Sequence, residues 1–275
     1  VMEAINPTVA VGWSVAALLF GLALLASVGG RLRQGAYLMM AGIMVIGAVT
    51  LYSHDVMAMP QICAALITGG AVGLVLGQGV PRSAIPAVLT GLIGQAGMAA
   101  VFVGVAAWRN PHAFGLLDET TDRMLTDAAA FVGLAIAFGA MAGAGAAAIL
   151  WHGMTRQGEG RRGPPLFAGA MLVATGAVTS VFALSPDTGW LIGSIGVALL
   201  AGQALARWAM GVGTGAAAAL VGGLAGWAVA GSAFLLENMG MAVAGGLAGA
   251  AGTVLGLRLC GGAVRKGLAD AGRHP

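Results

Sequence analysis

Polar side chains are scarce in this sequence, and those that interrupt its long apolar runs are the places to look for chemistry. Thr90, Gln95, Ser194, Gln203, Ser232 and Thr253 are examples, and all are neutral. Hydroxyls and amides can order a chain of water, but they do not take up a proton near pH 7. The plain expectation for any one of them is a hydrogen bond between helices, worth about 0.6 kcal/mol. Thr90 and Gln95 stand out because they lie five residues apart among Gly91, Gly94 and Gly97. Glycines there make a close helix contact or a water pocket easy to build. Every Asp, Glu, Lys, Arg and His falls in a loop or near the end of an apolar run, so no charge marks an ion path by itself.

Two glycine patterns imitate nucleotide sites. Gly158-Glu-Gly160-Arg-Arg-Gly163 is a literal GxGxxG. A dinucleotide fingerprint needs a strand before it and a helix after it, whereas this one is a charged loop that ends in Pro164-Pro165. Gly211-Val-Gly213-Thr-Gly215 reads as a tight turn. The sequence has no HExxH, CxxC or Walker pattern and no Ser/His/Asp arrangement. Its two cysteines, Cys63 and Cys260, are expected at opposite ends of the membrane. That is far beyond the roughly 7 Å that a disulfide allows between Cα atoms.

The elements that would position these residues are set by composition. Hydrophobic residues make up 59% of the 275 and charged residues only 8%. A water-facing globule carries roughly 25% charge, so this chain cannot coat one. A helix needs about 20 mainly apolar residues to cross the hydrocarbon layer, and runs of that length follow one another almost throughout. A barrel would instead alternate over segments of about ten residues. The expected fold is all-α: a polytopic transmembrane bundle of nine helices at 8–29, 35–53, 57–79, 84–108, 128–152, 164–184, 188–207, 213–236 and 239–260. Residues 1–262 form the bundle in this reading, and 263–275 form a short basic cytoplasmic tail. Steps such as Gly69/Gly73/Gly77, Gly245/Gly249 and Gly252/Gly256 let backbones approach closely, within the bundle or at an oligomer contact.

Cytoplasmic loops collect Lys and Arg, which tests the partition independently. With the N-terminus outside, Arg31, Arg33, Arg82, Arg156, Arg161, Arg162, Arg207, Arg258, Arg265, Lys266 and Arg273 all fall inside. Only Arg109 and Arg123 fall outside. Nine spans, N-terminus outside and C-terminus in the cytoplasm, therefore follow. The first span lacks a basic n-region and is expected to be a retained helix, not a signal peptide. A formal net charge of +3 reflects these inner loops and shows no basic patch for nucleic acid.

Several stretches, in order, resemble a known family. Gly69-Gly70-Ala71-Val72-Gly73, followed by Ser83-Ala84-Ile85-Pro86-Ala87-Val88-Leu89, is similar to a GGxIG motif, a short basic loop and a TxMPxLVAxxx helix start. Ala225-Gly226-Trp227-Ala228 resembles an SGWAA run. The stretch from Gly245 to Leu255 resembles GALVGSSGAIL, and Cys260 to Lys266 resembles the basic segment that leaves the last helix. The family is the membrane part of the proton-translocating NAD(P) transhydrogenase β subunit, and the likeness spans roughly residues 30–268.

That resemblance implies nine helices that conduct protons, coupled to hydride transfer between NADH and NADP. NAD and NADP would sit on soluble partner subunits, with no cofactor bound by this chain. It also implies the bacterial cytoplasmic (inner) membrane and a homodimer of the complex. Carried over by position, the family's proton-handling His or Asn falls on Thr90, with Gln95 nearby as a water-ordering group. A functional Asn falls on Gly222, an Asp on Gly213, and a last-helix glycine on Gly252. Arg265 falls in the linker toward the nucleotide domain. Fifteen residues follow Cys260, so the NADP-binding domain is expected on a separate polypeptide or in a longer chain. The chain is not expected to be catalytic alone. Alternatives are a non-catalytic relic or assembly scaffold on the same fold, or a transporter or channel for a small neutral solute.

Overall fold

The computed structural model describes residues 7–53, 67, 69–71, 73, 78, 85–118, 121–156 and 189–271. Among them are seven α-helices, one short 3-10 helix and no strand longer than a single bridge. They are α1 (Pro7–Val28), α2 (Leu32–Ser53), α3 (Ile85–Arg109), α4 (Thr126–Arg156), α5 (Gly189–Val212), α6 (Thr214–Leu235) and α7 (Met239–Ala271). The 3-10 turn is Pro111–Phe114. Six of the described helices are long and apolar enough to cross a membrane. The expected spans 164–184 and, apart from isolated positions, 57–79 lie outside the described residues.

Helix boundaries follow the apolar runs at most ends and depart from them at three. α4 continues past His152 to Arg156, α5 past Arg207 to Val212, and α7 past Cys260 to Ala271. The segment expected as a tail from residue 263 is thus helical to Ala271.

The chain divides into two compact units, Val1–Ile85 with Asn238–Ala244, and Pro86–Glu237 with Gly245–Pro275. In the first, α1 and α2 form an antiparallel hairpin. Gly30 takes the left-handed conformation (φ 78°) that ends helices at little steric cost. The Arg31 N–H reaches back to the Ala26 carbonyl (2.8 Å) and the Gly29 N–H to that of Leu25 (2.9 Å). Gly42 lies against the Phe20 ring, and Gly240, at the start of α7, lies against Ile46.

In the second unit the directions can be read from glycine contacts. Gly91, Gly97 and Gly104 of α3 meet Leu150, Ala142 and Ile136 of α4 in reverse order, so these helices are antiparallel. Gly202 of α5 packs on Met141, and Gly145 of α4 on Ala206, so α4 and α5 run parallel. Gly145 also meets Val221, and Gly231 meets Leu134, which makes α6 antiparallel to α4. α7 runs antiparallel to α6 through Gly245 on Ala230, Gly249 on Trp227, Gly252 on Gly223 and Gly256 on Leu220. Small side chains on both partners bring these backbones together, as in membrane bundles generally.

Two apolar clusters mark the ends of this unit. Ile149, Ala209, Ala216, Ala217 and Cys260 belong to one, with Arg207 and Arg258 on its exposed rim. Val105, Val132, Leu191 and Leu235 belong to the other, beside the loop that carries Asp118, Asp122 and Arg123. Large exposed side chains such as Leu18, Leu25, Val197 and Leu200 suit hydrocarbon surroundings. This is an integral membrane protein.

Candidate functional site

α3 begins with Ile85-Pro86, and proline is tolerated in a first turn because its missing N–H would have no partner there. Within this first turn the Thr90 hydroxyl donates to the Pro86 carbonyl (2.8 Å), four residues back. Thr90 is buried (3% exposed) on the stripe with Gly91, Gly94 and Gly97 that packs against α4. Its proton is engaged, so what it offers a neighbour is an acceptor lone pair. Gln95, by contrast, is exposed. Five residues turn a helix by about 140° beyond one full revolution, which takes Gln95 off the Thr90 face. The structure does not bring the two together.

Gly213 is the single residue joining α5 to α6. Its N–H donates to the Ala209 carbonyl (3.0 Å), and its own carbonyl accepts from Ala216 and Ala217 (3.1 and 3.2 Å). Backbone hydrogen bonding thus runs from one helix into the next without a loop. A Cβ at Gly213 or Gly222 would meet nothing within 4 Å, so neither glycine is required by close packing. Gly252 is different: it faces Gly223, not Gly222, and backbone atoms fill the place of its side chain. Arg265 lies on the helical C-terminal stretch of α7, and its side chain is outside the described set. The five bundle positions thus fall on three helices and a joint, and do not converge on one pocket.

Other polar groups make the contacts that link helices. The Trp227 indole lies over Gly249 and donates through Nε1 to Thr253 Oγ1 (3.2 Å), which in turn donates to the Gly249 carbonyl (2.7 Å). Ser232 is fully buried, with its hydroxyl toward the Ala228 carbonyl (3.0 Å) of its own helix and the Ala100 carbonyl (3.5 Å) of α3. Asn238 caps α7 by accepting from the Met241 N–H (2.9 Å). Sequence reasoning named Ser232 and Thr253 only as neutral groups in apolar runs and passed over Asn238. The cue for Asn238 was its position just before a predicted helix start.

An apolar cleft of about 130 Å³ between α3, α4 and α5 is lined by Trp108, Val132, Ile136, Leu191 and Ser194. The Ser194 hydroxyl already donates to the Leu191 carbonyl (2.8 Å). Among the described residues no three His, Cys, Asp or Glu side chains gather to hold a metal ion. Nor do the described residues fit a dinucleotide. Gly211–Gly215 is flanked by two helices where a phosphate-binding turn needs a strand and a helix. Gly158–Gly163 lies outside the described residues.

Comparison with known proteins gives a consistent result. A family described as "NAD(P) transhydrogenase beta subunit" matches residues 7–269. Two curated relatives, both named "NAD(P) transhydrogenase subunit beta" and both from Rhodospirillum rubrum, are each 30% identical over 241 residues. The match covers 84% of this chain and 50% of each relative, so the chain spans about half their length.

Proposed function

We propose, from the premise that this chain belongs to the NAD(P) transhydrogenase beta subunit family, that it forms the proton-conducting membrane bundle of such an enzyme. Hydride passes between NADH and NADP on soluble partner domains, and this chain supplies the route for the coupled proton. The observation that carries the reading is the family match along nearly the whole chain, laid over a bundle with six span-length helices. The parallel run of α4 and α5 also fits, since the fifth and seventh of nine alternating spans would point the same way.

On this reading the chain binds no nucleotide and is not catalytic alone. It sits in a bacterial inner membrane with its basic cluster end in the cytoplasm, and works within a homodimer of the complex. Thr90 orders water beside the α3–α4 contact, and Arg265 leads toward the nucleotide-binding partner. Gly213 and Gly222 favour a second reading, an assembly scaffold that no longer couples, because neither position carries a side chain or is required for packing.

The test is reconstitution of the complex, with its partner chains, in sealed vesicles. Hydride transfer from NADH to NADP should acidify one compartment and should respond to an ionophore that collapses the gradient. Thr90→Val keeps the volume and removes the hydroxyl, so it should slow coupled turnover without impairing assembly. Turnover with no proton movement would leave the scaffold reading.

A further inference from the structure

Between residues 7 and 53 the sequence carries no Asp, Glu, Lys or His, and its charged side chains there are Arg31 and Arg33. Both are exposed, and both sit at the turn from α1 into α2. α1 is apolar and span-length up to Val28, so this turn stands where hydrocarbon gives way to headgroups. Two positive charges are thus presented at a membrane surface, with no carboxylate on either helix to neutralise them.

The local geometry orders these charges. The Arg33 Nε–H donates to the Tyr37 hydroxyl (3.3 Å), and the guanidinium carbon stands 5.8 Å from the centre of the Tyr37 ring. A guanidinium has five N–H donors. With Nε engaged by a side chain one turn along, the Nη fork is held ready for a planar, two-point partner such as phosphate. The Tyr37 oxygen accepts from Arg33, so its own proton remains to be donated. Arg31 is fixed at the turn through its N–H, which is bonded to the Ala26 carbonyl (2.8 Å).

Below the arginines runs an apolar stripe of limited depth. Residues 33, 37, 40 and 44 are spaced four, three and four, which puts them on one face of α2. Tyr37 (58% exposed), Met40 (62%) and Met44 (75%) are open, while Gly42 lies against Phe20 of α1. At 1.5 Å per residue Met44 lies about 16 Å from Arg33 along the helix, roughly half of the 30 Å hydrocarbon layer. Beyond it the face narrows to Gly47, where a Cβ would meet nothing within 4 Å. The bulky part of the stripe is one leaflet deep, which matches an acyl chain and falls short of a transmembrane helix.

We propose that Arg31, Arg33 and Tyr37 hold the headgroup of an anionic phospholipid whose acyl chain lies along Tyr37, Met40 and Met44. The lipid phosphate takes the Nη fork of Arg33 and the Tyr37 hydroxyl, and Arg31 supplies the second positive charge. The flexible thioethers adapt to the chain below. A zwitterionic lipid brings its own ammonium group to two arginines and finds no carboxylate there, so the site selects by charge. The sidedness expected from the basic residues puts this turn at the cytoplasmic leaflet, where anionic lipids give the surface its negative potential. The site does not depend on what the bundle conducts.

The experiment places the purified chain, with the partners it retains, in phosphatidylcholine nanodiscs. A small fraction of the lipid carries a photoreactive acyl chain, supplied either as phosphatidylglycerol or as phosphatidylcholine, and cross-links to residues 33–44 are counted by mass spectrometry. Each arginine near an anionic headgroup strengthens binding by roughly 5-fold, so phosphatidylglycerol should label this stretch about 25-fold more than phosphatidylcholine. Arg33→Gln should leave about 5-fold, and the double variant Arg31→Gln, Arg33→Gln no preference. Tyr37→Phe keeps the ring, loses the hydroxyl and should fall below the wild type. All three side chains are exposed, so the variants leave the α1–α2 contact in place, which circular dichroism checks. Equal labelling by the two lipids in the wild type, or an unchanged preference in the double variant, overturns the proposal, because snorkelling arginines favour no particular lipid site. No labelling by either lipid would show the stripe covered by protein, and loss of labelling on adding inorganic phosphate would show a soluble anion in the site. Either result overturns it as well.

Discussion

Replacing Gly252 with alanine puts the packing of α6 on α7 to a quantitative test. A Cβ at this position would lie 2.5 Å from the Gly223 nitrogen, 2.7 Å from its Cα and 2.8 Å from the Ala219 carbonyl oxygen. All three are backbone atoms, so no rotamer change relieves the clash. Comfortable carbon contacts begin near 3.5 Å, and the helices must part locally by about 1 Å. That movement also loosens the Gly249–Trp227 and Gly245–Ala230 contacts on the same seam. Overpacking costs roughly 1–3 kcal/mol, while glycine to alanine in a helix returns about 0.5–1 kcal/mol. The upper end applies where backbone meets backbone, so Gly252→Ala should lose about 1–2 kcal/mol net. Unfolding in mixed micelles, followed by circular dichroism, would measure it. Gly246→Ala and Gly222→Ala are the controls, because a Cβ at either meets nothing within 4 Å. Both should be neutral or slightly more stable than the parent. Three variants within about 0.5 kcal/mol of one another would refute the claim that close approach is what requires glycine at 252.

Two further outcomes follow from the polar contacts. Asn238→Ala removes the side-chain acceptor for the Met241 N–H and should cost about 0.5–2 kcal/mol in the same assay, whereas Asn238→Asp should keep most of it. Trp227→Phe and Thr253→Val each break the indole–hydroxyl bond across the α6–α7 seam. Each should cost about 0.6 kcal/mol, and the double variant little more than either alone; fully additive losses would mean that the bond is not what the two residues share.

Helix existence and most boundaries were legible because a hydrocarbon layer demands a length of apolar sequence that little else explains. The three misplaced ends have a common physical cause. Hydropathy reports where lipid stops, but helical hydrogen bonding can continue into the interface, as it does through Trp151-His152 to Arg156 and through Arg265-Lys266 to Ala271. The Thr90–Gln95 pairing failed on angle: neighbours in the sequence can face opposite sides of a helix. The glycine steps at 245–256 announced a close contact without naming its partner. A periodic small-residue face fits any complementary face, and only the fold shows that α6 fills this one. Gly213 and Gly222 illustrate the reverse limit, since a resemblance can locate a position without supplying the side chain that acts there.

The most direct test of the central claim is a mild-detergent purification of the tagged chain from its native host, with mass spectrometry of what accompanies it. Soluble NAD- and NADP-binding polypeptides in fixed proportion to the chain, and NADH-to-NADP hydride transfer in the purified complex, are the predicted result. Recovery of the chain without any nucleotide-binding partner, or with partners that carry out no hydride transfer, would contradict its role as the membrane subunit of a transhydrogenase.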